Sequence, residues 1–289
     1  MQDFAKKWKW LFIGILIVVC AVVWHAVLHG ERNLLTVAFL DVGQGDAVYI
    51  ESPTGTQMLI DGGKDVAVLR ELGKVMPFYD RSIDIVLATH PDADHIGGLI
   101  PVLKRYNVEY ILRPGVKHDT PAANSLLNLI ANDGHEVSVI REMLARRGQV
   151  IDLGGGAYLR ILFPDRDVSD VNPNTASVAA QLVYGEHEFL LTGDSPEKIE
   201  KYLVALDGKK LRSDVLKLGH HGSKTSTSDL LLGFVTPKYA IISAEKDNSY
   251  GHPHQSVLDK LEQFKIPLLS TAEQGTIIFE SDGVNLLLK

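Results

Sequence analysis

The sequence has little cysteine, no excess of basic residues and no repetitive segment. Its 289 residues include one cysteine, Cys20, which excludes an intrachain disulfide framework and a zinc site made of several cysteines. The formal net charge is −7, so no broad basic surface is indicated. Contact with a polyanion would therefore require a local site, such as a bound metal. At 45% hydrophobic residues, the chain can bury the core of one large domain or two small ones.

One apolar run lies near the N-terminus, at residues 10–28. These nineteen residues contain one ionisable side chain, His25, and their length suits the hydrocarbon core of a bilayer. Lys6, Lys7 and Lys9 precede the run, and tryptophans flank it, which predicts an anchor whose N-terminus is cytoplasmic. A cleaved signal peptide and a buried core helix are the alternatives. The run lacks a small-residue cleavage site and helical periodicity, and both absences favour an uncleaved anchor.

We therefore predict two parts. Residues 1–31 would form a cytoplasmic stub and transmembrane helix, and residues 32–289 a domain on the far side of the cell membrane.

Strand-like and helix-like segments alternate through the second part. Apolar runs predict strands around LLTVAFLDV, DAVYIES, TQMLIDGG, IDIVLATH, EYILRP, AYLRILFP, VAAQLVYG, EFLLTGD, DVLKLG, YAIISAE and TIIFESD. Helices are predicted from about Lys64 and over 94–106, 121–133, 195–206, 226–234 and 253–264. Interleaved strands and helices of this kind predict a layered α/β domain with mixed sheets.

Six of the eleven histidines lie in three short motifs that follow strand-like runs. The motifs are HPDADH at 90–95, HHGSKTS at 220–226 and YGHPH at 250–254. Asp41, Asp61 and Asp194 also end strand-like runs. Ligands of α/β domains bind beyond the carboxyl ends of strands, so these groups should collect at one edge. A divalent metal is the simplest explanation, because histidine and aspartate are standard ligands.

These motifs differ in how specific they are. A single aspartate after a strand is usually a helix cap or a turn former. HPDADH is far more specific, since a structural role does not require four ionisable groups at that spacing. In YGHPH, His252 also fits a helix cap before Pro253, and either histidine fits a contact with substrate rather than metal.

The motifs resemble those of the metallo-β-lactamase fold, whose hallmark is HxHxDH after a strand. In order and spacing, FLDVGQGDAVYIESPTGTQMLIDGG, THPDADHIGGL, NPNTASVAAQLVYGEHEFLLTGD, LKLGHHGSKTSTS and NSYGHPHQSVL are similar to the extracellular hydrolase domain of ComEC-type DNA-internalisation proteins. The resemblance covers about residues 35–285. It implies a four-layer αββα sandwich with two mixed sheets, preceded here by one transmembrane helix. The multi-span channel of that family is not in this sequence, which implies a separate channel protein as partner.

The resemblance also implies roles for individual residues. His90 and Asp92 would contribute to one metal position, and Asp94 and His95 to a second. Asp194 would bridge the two positions. The remaining ligand would be His220, and the carboxylates that orient ligands from behind would be Asp41, Asp46 and Asp61.

Two departures from the wider fold concern the metal. Asp92 stands where a histidine is usual, and Asn172 and Asn174 lie where another histidine is expected. Oxygen ligands in place of imidazoles shift preference from zinc toward manganese or magnesium. We expect one or two divalent ions, with manganese or zinc favoured and magnesium allowed.

The mechanism implied is hydrolysis of a phosphodiester. A pair of divalent cations would lower the pKa of a water between them and hold phosphate oxygens. Asp94 would position the attacking water, and the leaving oxygen would receive a proton from His221, His252 or His254. The expected contacts with the substrate phosphate are Ser223, Lys224 and Asn174.

We expect a phosphodiesterase or nuclease acting on extracellular DNA in connection with DNA uptake. Two alternatives belong to other classes. One is a hydrolase of a small ester, lactone or β-lactam, and the other is a non-catalytic partner of a DNA-uptake channel.

Overall fold

A computed structural model of the protein describes residues 2–29, 34–131 and 140–289. The chain divides into two compact units, Met1–Arg32 and Asn33–Lys289. The boundary predicted between residues 31 and 32 lies outside the described residues and stays a prediction.

The first unit is a long helix, α1, at Gln2–His29. Its segment Lys6–Trp24 has 19 residues and a mean hydropathy of 1.9, and its side chains are exposed. By length and composition, this segment is suited to a single membrane crossing, as the apolar run predicted.

The second unit contains two mixed sheets. The described strands are β1 (Leu35–Phe39), β2 (Val48–Glu51), β3 (Gln57–Ile60), β4 (Ser82–Leu87), β5 (Asn107–Arg113), β6 (Arg141–Leu144), β7 (Val150–Gly154), β8 (Ala157–Phe163), β9 (Ala179–Tyr184), β10 (His187–Leu191), β11 (Val215–Lys217), β12 (Tyr239–Ile242), β13 (Leu268–Ser270), β14 (Ile277–Ser281) and β15 (Leu286–Leu288). The first sheet has the order β15-β14-β1-β2-β3-β4-β5-β6, and the second has the order β13-β12-β11-β10-β9-β8-β7.

The described helices of this unit are mostly short. They are α2 (Ala67–Val75), α3 (Ala93–Ile96), α4 (Leu99–Leu103), α5 (Pro121–Ala131), α6 (Pro173–Ala176), α7 (Glu197–Asp207), α8 (Asp229–Val235), α9 (Gln255–Phe264) and α10 (Thr271–Gln274), with 3-10 turns at Gly208–Leu211 and Gly219–Gly222.

Three apolar layers hold these elements together. Between the sheets, the Phe279 ring packs edge-on against Phe39 and Phe189, with centroid distances of 6.2 and 5.8 Å. Helices α2, α4 and α5 cover the outer face of the first sheet, and α7, α8 and α9 cover that of the second. Most strands are therefore buried on both faces, which explains why they read as nearly continuous apolar runs. The predicted αββα sandwich is confirmed.

Strand direction gathers the loops that carry the motifs. In the first sheet β3, β4 and β5 run parallel, and in the second β10, β11 and β12 run parallel. The polar motifs follow the carboxyl ends of these strands, as the sequence predicted.

The prediction of one continuous helix over 94–106 is wrong. The chain forms α3, breaks at Gly97 and Gly98, and continues as α4. A Cβ at Gly97 would overlap the Lys64 carbonyl oxygen, and one at Gly98 would overlap that of Gly62. Close packing against the loop after β3 therefore sets this break.

Other helix starts also differ from the predictions. Helix α7 begins at Glu197, and the Ser195 hydroxyl makes no capping bond but is buried without a hydrogen-bond partner. The helix predicted over 226–234 is α8, which begins at Asp229 and is capped by Ser228, whose side chain accepts from Leu231 N. The last two residues predicted for α5, 132 and 133, lie outside the described residues. The sequence did not indicate strands β6, β7, β13 and β15.

Candidate metal centre

The HPDADH motif forms the turn from β4 into α3. His90 and His95 are fully buried, whereas the Asp92 and Asp94 side chains remain 33% and 29% exposed. Asp92 is the N-cap residue of α3, yet its carboxylate accepts no capping hydrogen bond. This carboxylate is therefore not committed to the helix, and its Oδ2 lies 3.6 Å from His90 Nε2.

Asp61 fixes this turn from behind. Its carboxylate accepts from Thr89 N at 2.8 Å and Thr89 Oγ1 at 2.6 Å, and lies 2.8 Å from His95 Nδ1. All three residues are buried. An imidazole held at Nδ1 by a carboxylate presents Nε2 to the site, the usual arrangement for a metal-binding histidine.

Asp194 lies at the centre of the histidines. It follows β10 and is 3% exposed, and the histidine rings face its carboxylate. The nearest oxygens are 3.3 Å from His95 Nε2, 3.7 Å from His90 Nε2, 3.7 Å from His220 Nε2 and 3.9 Å from His221 Nε2.

The two adjacent histidines of HHGS lie in the 3-10 turn after β11. Both have left-handed backbones, with φ of 49° at His220 and 54° at His221. The His221 ring is buried, with Nδ1 3.2 Å from Asp46 Oδ1 and Nε2 3.4 Å from Asp94 Oδ2. Lys217 Nζ also lies 2.7 Å from Asp46 Oδ1.

The donor set fits a divalent metal. Several of its buried atoms have no hydrogen-bond partner in the described structure, among them His90 Nε2, His95 Nε2, Asp194 Oδ1 and His221 Nε2. Asp46, His95, Asp194 and His221 each offer a ligand atom, and these four atoms lie within 4.8 Å of one another. Partnerless imidazole and carboxylate groups are costly when buried, and a bound cation would satisfy them together. Mixed nitrogen and oxygen donors do not identify the metal.

Charge within the cluster shifts the pKa values of its members. Burial disfavours the charged form of His221, but Asp194 and Asp46 outweigh it and raise its pKa to about 9. The pKa of His95 rises well above its usual value for the same reason, with Asp194 and Asp61 opposing burial. Burial raises the pKa of Asp94, but the nearby His221 ring, with Nε2 3.4 Å from Oδ2, lowers it to about 2. Without a cation, protonated imidazoles would balance the carboxylates.

The family follows from a comparison of the whole sequence with known families. The family model described as the metallo-beta-lactamase superfamily matches residues 40–245. The chain belongs to this superfamily.

Relatives of the chain include proteins named for competence and for recombination. ComE operon protein 3 of Bacillus subtilis is 31% identical over 258 residues, which is 83% of this chain and 32% of that protein. Recombination protein 2 of Haemophilus influenzae is 33% identical and covers 82% of this chain and 28% of its own length. Competence protein ComA of Neisseria gonorrhoeae is 30% identical, with 86% and 32% covered. The chain spans about a third of the length of these relatives. The resemblance to ComEC-type proteins is confirmed.

Solved structures of low identity show the fold. The metallo hydrolase Igni18 of Ignicoccus hospitalis has a TM-score of 0.55 at 14% identity, covering 85% of this chain and 98% of its own. CmlA of Streptomyces venezuelae, a diiron beta-hydroxylase, has a TM-score of 0.53 at 14% identity, covering 88% and 54%.

Two residues next to this cluster were not predicted from the sequence. His118 Nε2 lies 3.4 Å from Asp92 Oδ1, and Lys217 pairs with Asp46. His118 follows β5, whose carboxyl end lies at the same edge as that of β4, so its position after a strand was an available signal. Lys217 lies within a strand, where the sequence gives no sign of a buried ammonium.

The YGHPH histidines have different positions. The His252 ring centroid lies 5.6 Å from that of His220 and 6.4 Å from that of His221. His254, rather than His252, is the N-cap of α9 and accepts from Ser256 N. Among the contacts described for His254, none reaches the metal cluster.

The residues expected to hold phosphate are spread around the loops. Lys224 is exposed, whereas Ser223 is 6% exposed and its hydroxyl bonds Thr225 Oγ1 at 3.0 Å. Asn174 is half-buried in α6, where Asn172 is the N-cap. Their contact with substrate stays a prediction.

Of the carboxylates expected behind the ligands, Asp61 and Asp46 face histidines of the cluster. Asp41 instead forms a turn, since its Oδ1 accepts from Gly43 N at 3.4 Å.

Proposed function

We propose that the protein is a metal-dependent phosphodiesterase that cleaves DNA outside the cytoplasm, in connection with DNA uptake. The observation that carries this proposal is the convergence of partnerless imidazole and carboxylate atoms on Asp194. The competence and recombination relatives support DNA as the substrate.

The residues that would hold the metal come from both sheets. His90 and Asp92 would serve one position, Asp94 and His95 another, with Asp194 between them and a histidine of the HHGS turn completing the set. Bound divalent cations would supply Lewis acidity toward phosphate oxygens and make a bound water more acidic.

Side chains of the protein would orient the attacking water and protonate the leaving oxygen. Asp94 lies between His221 Nε2 and solvent, so its carboxylate can accept a hydrogen bond from the attacking water and orient it. His252, half-buried beside His220, would give a proton to the leaving oxygen. Exposed Lys224 would contact a flanking phosphate as a mobile positive charge.

The apolar helix supports attachment to the membrane. Because Lys6, Lys7 and Lys9 lie at the N-terminal end of Lys6–Trp24, we propose a cytoplasmic N-terminus and an extracytoplasmic hydrolase domain. A separate channel protein would then be the partner that takes up the DNA.

The test uses the full chain in detergent micelles. It is incubated with labelled DNA, bis-p-nitrophenyl phosphate and a chromogenic β-lactam, each with manganese or zinc. We expect cleavage of the two phosphodiesters and none of the β-lactam. Asp194→Asn, prepared identically, controls for contaminating nuclease and should be inactive. Hydrolysis of the β-lactam alone, or equal DNA cleavage by Asp194→Asn, would contradict the proposal.

A further inference from the structure

Two buried histidines of the cluster share one arrangement. His95 has Nδ1 2.8 Å from Asp61 and Nε2 3.3 Å from Asp194. His221 has Nδ1 3.2 Å from Asp46 and Nε2 3.9 Å from the same Asp194. In each case a buried carboxylate fixes one ring nitrogen and leaves the other facing the centre, which is how metal-binding imidazoles are usually oriented.

His220 is held differently, although it is the next residue. Its side chain is 28% exposed, and its Nδ1 lies 3.3 Å from the Thr225 hydroxyl rather than from a carboxylate. Its ring is 5.6 Å from the half-buried His252. His220 thus borders the open side of the cluster, although its Nε2 is 3.7 Å from Asp194 Oδ2. What separates it from His221 is the exposure of its ring and the hydroxyl, rather than a carboxylate, at its Nδ1.

Lys217 holds Asp46 in the position where its carboxylate faces His221. The lysine is 2% exposed, with Nζ 2.7 Å from Asp46 Oδ1 and donating to Leu218 O at 3.1 Å. A buried ammonium needs such partners. It fixes the position of Asp46 and balances its charge, so this carboxylate is not a free ligand despite its closeness to the cluster.

We infer that Lys217 and Asp46 are positioning residues that present His221 Nε2 to the metal, while His220 faces substrate together with His252. This reverses the roles expected from the sequence for the two histidines. The inference deepens the proposed function and rests on it for the metal and the substrate.

The experiment measures metal binding rather than hydrolysis, by calorimetric titration of the full chain with zinc or manganese. The matched variants are His221→Asn and His220→Asn, because asparagine tolerates the left-handed backbone at both positions. His221→Asn should raise the Kd of the tightest site by more than about 100-fold, and Asp46→Ala by about 10- to 100-fold. His220→Asn should change it by less than about threefold. A loss with His220→Asn equal to or larger than that with His221→Asn would overturn the inference.

Lys217 is tested by the visible absorption of the cobalt-loaded protein, which reports the ligands directly. Lys217→Met should alter this spectrum, because the freed Asp46 would become an additional ligand. The double variant Lys217→Met with Asp46→Ala should instead match Asp46→Ala alone. An unchanged spectrum in Lys217→Met would show that the lysine does not position Asp46 for His221, and would overturn this part of the inference. A protein that binds metal as stated but cleaves no phosphodiester would refute the proposed function and leave the assignment of His221 intact.

Discussion

Asp94 combines partial exposure with a place inside the cluster. It lies in the first turn of α3, its side chain is 29% exposed, and Oδ2 is 3.4 Å from His221 Nε2. Its carboxylate is partly exposed to solvent, so its loss should affect chemistry more than folding.

We expect Asp94→Ala to lower the rate of phosphodiester cleavage by about 100-fold or more, since a group that orients or deprotonates water contributes on this scale. The melting temperature should change by no more than a few degrees. Turnover numbers and thermal unfolding of the same preparations provide the check.

Asp229→Ala is the matched control, because Asp229 is also an aspartate in a first helical turn but lies on the exposed surface of α8. It should retain full turnover. Activity of Asp94→Ala within tenfold of the wild type would remove Asp94 from the reaction, and a collapsed melting temperature would give it a structural role.

The sequence allowed part of the site to be predicted at this scale. The spacing in HPDADH placed His90 and His95 correctly in one cluster, because local geometry brings a turn and one helical turn together. It did not indicate His118 or Lys217. His118 meets Asp92, and Lys217 at the end of β11 meets Asp46, only after the sheets have formed.

Among the elements, β10, β11 and β12 are joined at their beginnings by Asp214. Its Oδ2 lies 3.0 Å from His187 Nδ1 and accepts from Glu188 N at 3.3 Å, while Oδ1 is 2.9 Å from Lys238 Nζ. Burial raises the pKa of Asp214, but bonds from Lys238 and His187 outweigh burial and lower it.

Asp214→Asn should therefore lower the free energy of unfolding by about 1–3 kcal/mol at pH 7, the usual worth of hydrogen bonds to a charged group. A carboxylate with a lowered pKa stabilises the fold above the unfolded pKa of about 3.9, and this contribution is lost as pH falls through the folded pKa. Urea denaturation should show the largest gap between wild type and variant above about pH 5, narrowing toward pH 3. Asp259→Asn, an exposed control on α9, should give a small and nearly constant gap. A gap for Asp214→Asn that is the same at pH 3 and pH 7 would show that its charge is unimportant.

The elements themselves were predictable where a pattern is long and apolar. All strands next to the ligands were indicated, because strands buried on both faces leave continuous apolar runs. The edge strand β6, Arg141–Leu144, is exposed at every position and gives no such signal. The break between α3 and α4 was missed because it results from the packing of Gly97 and Gly98 against another loop, not from helix propensity.

For the molecule as a whole, the cluster joins the two sheets. Asp61, His90 and His95 follow strands of the first sheet, whereas Asp194 and His221 follow strands of the second. A bound ion would therefore connect both sheets of the sandwich.

Removal of the metal should lower the melting temperature of the intact chain. A ligand present at 100 times its Kd stabilises the folded state by about 2.7 kcal/mol, which corresponds to about 5–10 °C for a domain of this size. Thermal unfolding with and without a chelator measures this shift, and metal added back should restore it. An identical melting temperature in both states would mean that the cluster holds no metal that links the sheets.

The two proposed metal positions should also bind their ions with different affinities. In the proposed assignment, one position would have the two buried imidazoles of His95 and His221, whereas the other would have His90 with the carboxylate of Asp92 where a second imidazole is expected. We expect metal analysis after mild chelation to find one ion retained and the other lost. Two zinc ions held equally tightly would contradict this expectation.

The proposed orientation of the membrane helix predicts that the hydrolase domain is accessible from outside the cell. Protease added to intact cells or spheroplasts should digest the hydrolase domain, because Lys6, Lys7 and Lys9 in the first turns of α1 would favour a cytoplasmic N-terminus. Protection of the domain until the membrane is lysed would overturn the orientation and any action on incoming DNA.

The distribution of ligands along the chain has a consequence for biosynthesis. HPDADH emerges roughly 100 residues before Asp194 and the HHGS turn, so a nascent chain carries half a site for several seconds at ordinary rates of synthesis. The complete cluster first exists when residue 221 has reached the compartment in which the sandwich closes. The ions available in that compartment, rather than those met earlier by the growing chain, then decide which metal the mature protein contains.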